Sequence, residues 1–276
     1  MPSGICWIPG MNEEGPMLEI KNITVCYKDC PTVKNFSMTL QEGEIASLVG
    51  ESGSGKTTVI RAVLGLLAGG GQVIDGDILF DGKSLLENTP EQWRKLRGTD
   101  ISMIFQDSGA MLNPTRKIGT TFVEYIRTHE KISKKEAWKK GSDMLTRMRL
   151  ADAENVMHSY PFQLSGGMRQ RVGIAMAMTF RPKLLLADEP TSALDVTTQA
   201  QIVRQMMELR EEYGTSIIMV THNLGVAAYM SDLIVVMKDG EVTDYGSREV
   251  ILNGDHSEYA QQLLDAVPSV GGVRYV

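Results

Sequence analysis

The sequence predicts an α/β protein: a parallel sheet with crossover helices, an antiparallel β subdomain, and an inserted helical subdomain. Three observations carry this. Short apolar runs alternate with helical patterns over 44–67 and again over 183–237, as βα crossovers do. The stretches 18–27 and 36–40 alternate apolar and polar residues, the mark of half-buried strands. From about 118 to 180 the period changes to helices with almost no β-branched runs between them.

The elements follow in order. Residues 1–17 are expected to form a flexible N-terminal tail. They carry Pro2, Pro9, Glu13 and Glu14, and they lack the basic start and apolar core of a signal peptide, so translation beginning at Met11 or Met17 stays open. Residues 18–27 and 36–40 read as strands. The run 44–49 (EIASLV) is a short buried strand that stops at a glycine-rich turn, and 57–67 reads as a helix closed by Gly69, Gly70 and Gly71. Strands are expected at 77–80 and 101–105, and helices at 118–129, 135–150 and 166–179. Then strand 183–187, helix 198–213, strand 216–220, helix 224–230 and strand 233–237 alternate, followed by a helix at 257–266 and a short tail at 269–276.

The 276 residues suffice for one large core with a subdomain or for two small domains, and 42% hydrophobic residues predict a packed globule. The net charge of −6 offers no excess of cations for nucleic acid. No stretch approaches the roughly 18–20 apolar residues of a membrane span. Cys6, Cys26 and Cys30 fit a reducing compartment, as structural thiols rather than a metal site. The 17 methionines read as core filling rather than metal trafficking.

Gly50-Glu51-Ser52-Gly53-Ser54-Gly55-Lys56-Thr57 lies between an apolar strand and a helix and matches G-x-x-x-x-G-K-[ST]. Gly53 and Gly55 let the backbone curl so that successive N–H groups face phosphate oxygens, and the helix N-terminus favours the same anion. Lys56 reaches the β- and γ-phosphates, and the Thr57 hydroxyl is a Mg²⁺ ligand. Leu184-Leu185-Leu186-Ala187 then ends in Asp188 and Glu189, one carboxylate suited to a Mg²⁺-bound water and the next to polarising an attacking water. Together these define a P-loop NTPase core. Leu164-Ser165-Gly166-Gly167-Met168, within the helical insert, opens a helix with a Ser and two glycines and forms a second anion site. Two anion sites far apart in one chain suggest two chains sharing two nucleotides.

On these motifs the chain resembles ABC transporter ATPases from about Leu18 to Pro268, with the helical subdomain inserted at about 118–180. The resemblance implies ATP and Mg²⁺ as cofactors. It implies ATP contacts from Gly50, Ser52, Gly53, Ser54, Gly55, Lys56, Thr57 and Thr58, with Tyr27 as the aromatic on adenine. Thr57, Gln106 and Asp188 become the Mg²⁺ set, and Gln106, Glu189 as base and His222 as switch histidine the catalytic set. Leu164 to Met168 would close over the partner's nucleotide, and Ser192-Ala193-Leu194-Asp195 corresponds to the D-loop. Leu112-Asn113-Pro114, Leu194 to Ile202, Thr221 to Val226 and the segment from His256 to Pro268 are similar to importers of peptides or nickel, although Asn223 stands where Asp is usual. The expected partners are two membrane permeases, a sister ATPase in a heterodimer or homodimer, and indirectly a solute-binding protein, with no nucleic acid. The expected location is peripheral, on the cytoplasmic face of the plasma membrane. A soluble ABC ATPase without permeases, and the ATPase of an exporter, are the alternatives.

Overall fold

The structure, a computed structural model, describes residues 15–192, 194–254, 256–266, 269–270 and 273–274. Most of the expected N-terminal tail, with Cys6 and Met11, lies outside the described residues, as do Ala193 and Pro268.

The chain begins with β1 (Leu18–Tyr27) and β2 (Cys30–Leu40), passes through β3 (Ile45–Val49) and α1 (Lys56–Val63), and returns as β4 (Gln72–Phe80) and β5 (Lys83–Ser84). Strands β2-β1-β4-β5 form an antiparallel sheet in that order. The hairpin β1–β2 pairs Tyr27 with Cys30 and Cys26 with Pro31, which puts the two cysteines on opposite faces. β2 starts six residues earlier than the sequence pattern suggests, because Pro31 and the left-handed Asn35 interrupt its alternation. α1 stops at Val63, short of the expected 67, where Gly65 takes a φ of +63°.

After α2 (Pro90–Leu96), β6 (Ile101–Ile104) and α3 (Ser108–Met111), the helical insert contains α4 (Ile118–His129), α5 (Lys134–Arg147), α6 (Ala153–His158) and α7 (Gly166–Met178). Its core packs Phe122, Ile126, Leu145, Met157, Val172 and Ile174, and it is continuous with the sheet face under Leu185 and Ile217. The chain then alternates β7 (Leu184–Asp188), α8 (Val196–Tyr213), β8 (Ser216–Thr221), α9 (Leu224–Met230), β9 (Leu233–Lys238) and β10 (Glu241–Ser247). α10 (Arg248–Asn253), α11 (Glu258–Asp265) and the two-residue strands β11 (Ser269–Val270) and β12 (Val273–Arg274), which pair with each other, complete it.

The central sheet has the order β10-β9-β3-β8-β7-β6. All neighbours run parallel except β10 against β9. Every residue of β3, β7 and β8 is buried, as expected for a parallel sheet covered on both faces. One face packs on α1 and the antiparallel sheet, through Leu48, Val59, Ile60 and Phe36. A third cluster joins Val49, Leu224, Ala227, Val236, Tyr259 and Leu264, so α11 closes the end where β3 leaves the sheet.

Candidate functional site

Because β3, β8, β7 and β6 are parallel neighbours, their carboxyl ends lie in one row. Each end delivers one of the motifs: the glycine loop after β3, His222 after β8, Asp188 and Glu189 at and after β7, and Gln106 after β6. Open α/β sheets bind ligands at this edge.

The loop is built on close approach. A Cβ at Gly50 would stand 2.1 Å from the Met237 carbonyl oxygen of β9, so only glycine fits there. Gly53 and Gly55 then take φ of +87° and +98°. Lys56, 5% exposed, donates from Nζ to Gly50 O (2.8 Å), Glu51 O (2.6 Å) and Ser54 Oγ (3.1 Å). Burial pushes its ammonium below the usual lysine range, against the opposing pull of Glu189, Asp188 and Glu51. A buried cation whose hydrogen bonds among the described residues go to neutral oxygens, at a glycine turn, is suited to an anionic ligand.

Thr57 Oγ1 donates to Asp188 Oδ1 at 2.7 Å. Asp188 is 4% exposed, and burial pushes its carboxyl above the usual carboxylate range, with the Thr57 hydrogen bond working in the opposite direction. The next residue, Glu189, has a φ of +43°, uncommon for a residue with a Cβ. Its N–H donates to Val220 O at 3.0 Å, which fixes it beside β8. Its Oε2 accepts from Gln106 Nε2 at 3.3 Å and faces His222 Nδ1 at 3.4 Å. Three side chains predicted separately thus meet on one carboxylate. Strain of this kind concentrates where a side chain must be aimed.

The Ser-Gly-Gly segment is placed elsewhere. Ser165 caps α7, accepting from Met168 N–H at 3.3 Å, and is exposed, whereas Leu164 is buried. A Cβ at Gly167 would lie 2.9 Å from Thr198 Cγ2, so the start of α7 abuts the start of α8. Asp195 caps α8, accepting from Thr198 N–H (3.0 Å) and Oγ1 (2.7 Å), and these bonds hold its carboxyl below the usual range. No hydrogen bond among the described residues joins Leu164 to Met168 with the glycine loop. Tyr27 lies on the antiparallel sheet with its ring against Gly71, where an added Cβ would be 2.5 Å from Cε1. Ser52 is exposed, Ser54 buried and Thr58 half-buried.

The sequence does not reveal the partners of two further residues. Gln170 is buried and donates from Nε2 to Pro190 O at 2.7 Å, tying α7 to the segment after Glu189. Gln170 closes the run Leu164 to Gln170 that begins with the Ser-Gly-Gly motif, between Arg169 and Arg171, and the motif marks the residue without showing its contact. Tyr259 is noted in the sequence only as part of a tail pattern, yet its hydroxyl accepts from Glu51 N–H in the loop at 2.8 Å.

Comparison with known proteins places these features in context. The profile described as ABC transporter matches residues 33–192, and one described as an AAA domain, putative AbiEii toxin, Type IV TA system, matches 159–228. The chain is 42% identical over 262 residues to the dipeptide transport ATP-binding protein of Lactococcus lactis subsp. cremoris, covering 93% of this chain and 75% of that protein. It is 43% identical over 261 residues to the oligopeptide transport ATP-binding protein of Haemophilus influenzae, covering 93% and 80%. Among solved structures, a dimeric post-hydrolysis state of an ATP-binding cassette bound to ADP and Pi superposes with a TM-score of 0.74 at 31% identity, covering 84% of this chain and 99% of that one.

Proposed function

This chain belongs to the ABC transporter family of ATP-hydrolysing subunits, and on that premise we propose that it energises uptake of small peptides through membrane permeases. The observation that carries the catalytic part is the meeting of Gln106, Glu189 and His222 at the ends of β6, β7 and β8, in the row that continues to β3 and Lys56. The dipeptide and oligopeptide transport relatives favour peptides over nickel as the solute.

Lys56 and the N–H groups of Gly53 to Thr58 bind the phosphates, and Tyr27 stacks on the base. Thr57, Asp188 and Gln106 offer only hard oxygen donors, which suits Mg²⁺, and they would hold it beside the phosphates. The ion supplies neutralisation of charge on the phosphate oxygens. Glu189 accepts the proton of the attacking water. Gln106 and His222 hold the Glu189 carboxylate in its direction. Ser165 and the N–H groups that open α7, in a partner ATPase, complete the pocket around the γ-phosphate. The dimeric relative bound to ADP and Pi supports such pairing.

No helix among the described residues is long and apolar enough to cross a membrane. The chain would attach to the cytoplasmic face through permeases, with a solute-binding protein acting on the far side. A groove between the sheet and the helical insert, lined by Leu66, Met103, Phe105, Met111, Tyr125 and Met176, supports it. Met111 is 61% exposed and Leu66 43%, an apolar surface of the kind that receives a partner segment.

Lys56→Ala tests the binding site. ATP binding, measured by calorimetry with Mg²⁺ present, is expected to be lost, and unchanged binding would overturn the assignment. Deleting the gene and measuring uptake of labelled dipeptide tests the transport reading. Uptake is expected to fall and to be restored by the native chain but not by Lys56→Ala; uptake that persists after deletion would sink it.

A further inference from the structure

Tyr259 sits on α11, more than two hundred residues from the glycine loop, and is 6% exposed. Its ring packs in the cluster with Val49 and Val236, and Lys238 Nζ lies 4.8 Å above it. α11 is fixed at its start by Ser257, whose N–H and hydroxyl donate to the Asp244 carboxylate of β10, at 2.8 Å and 2.5 Å. The hydroxyl therefore comes from a braced helix.

Its partner is the informative part. Tyr259 accepts from Glu51 N–H at 2.8 Å, and Lys56 Nζ donates to Gly50 O at 2.8 Å. The Gly50 carbonyl and the Glu51 N–H belong to one planar peptide group. The plane is thus held at both ends, by the tyrosine on one side and the lysine ammonium on the other. A hydrogen bond to the N–H polarises the group and strengthens the carbonyl as an acceptor. Gly50 carries no side chain, so no side-chain contact of that residue helps to hold the peptide.

We propose that Tyr259 is a positioning residue for nucleotide binding, orienting the 50–51 peptide and through it the Lys56 ammonium. The inference rests on the reading of the loop as the phosphate site. Burial pushes the Tyr259 hydroxyl up, so it stays a neutral phenol across the working range of pH. The arrangement makes the C-terminal helix part of the ATP site, although it lies far from that site in sequence.

The test is Tyr259→Phe in the full chain, which keeps the ring and its packing. Dissociation constants for ATP and for AMP are measured by calorimetry, beside the melting temperature. The expected result is an ATP constant raised about 3- to 10-fold, the range of one lost hydrogen bond of ordinary strength, with AMP changed less than about twofold because AMP lacks the phosphates Lys56 faces. In the native chain, hydrogen exchange at the Glu51 amide should be slow, which tests the contact without any variant. ATP and AMP weakened alike, unchanged ATP binding, or a rapidly exchanging Glu51 amide would each overturn the inference while leaving the loop assignment intact. Unchanged ATP binding in Lys56→Ala would overturn the loop assignment itself.

Discussion

Thr57 Oγ1 donates to Asp188 Oδ1 across 2.7 Å, joining the start of α1 to the end of β7 over 131 positions of sequence. The carboxylate so held is buried, and burial raises its affinity for a proton. Between the ordinary carboxylate range and the raised value, the folded chain binds more protons than the unfolded one, so stability falls as pH rises through that window. Above it the charged, buried Asp188 is a standing cost. Asp188→Asn keeps an acceptor for Thr57 and removes the charge. The nucleotide-free variant is therefore expected to melt about 2–4 °C higher than the native chain at neutral pH, for a gain of about 1 kcal/mol. The difference should shrink on acidification. Hydrolysis with Mg²⁺ should be lost in the same variant. Equal or lower melting temperature by calorimetry would contradict the argument.

Glu189→Gln keeps the shape of the side chain and its contact with Gln106 but removes the base. Loss of general-base catalysis costs about 10²–10⁴ in rate. ATP should still bind, and with less negative charge near the γ-phosphate, ATP-bound dimers should accumulate on size exclusion. Near-normal turnover would assign the base elsewhere, with Asp188 and His222 the next carriers.

How much of this was legible in the sequence depends on what each residue faces. KLLLA and SIIMV announce themselves because both faces of β7 and β8 are covered, and burial leaves only apolar residues. The glycine loop is local, so its spacing suffices. Gln106, Glu189 and His222 were found by motif order, but their meeting was not visible, since it depends on β6, β7 and β8 being neighbours. α2 went unread although Thr89, Pro90 and Gln92 form a capping box with Pro at the first turn. β10 alternates exposed and half-buried residues at a sheet edge, which weakens its pattern. The Tyr259 contact is purely tertiary, and no local pattern encodes it.

Met111 tests the proposed docking groove. It is exposed, and α3 ends there, beside Phe105 and Leu112. Met111→Glu puts a charge where an apolar partner segment would sit, at a cost of several kcal/mol if that charge is buried unpaired. ATP binding by the isolated chain should be unaffected. Peptide uptake by the assembled transporter should fall at least tenfold. Normal uptake would place the permease contact on another surface.

Ser165 decides whether the chain works alone. It caps α7 and faces solvent, and among the described residues no hydrogen bond links it to the loop of its own chain. A single-chain ATPase would gain nothing from a helix N-terminus placed away from its phosphates. A head-to-tail pair would gain donors for the exposed side of the γ-phosphate. Ser165→Arg fills that position with a long cation and also removes the cap, which costs about 0.5–2 kcal/mol, so folding is checked by a melting temperature lowered only a few degrees. The variant is placed in this chain beside an intact sister ATPase, so that the two sites can be told apart. ATP binding at this chain's own loop should stay within about threefold of native, because Lys56 and Thr57 are untouched. Hydrolysis at the opposite site should fall by at least about 10²-fold, as expected when a preorganised donor set is removed. Site-specific trapping of labelled nucleotide separates the two sites. Full hydrolysis and transport by that assembly would refute the shared site and return the single-chain ATPase to contention.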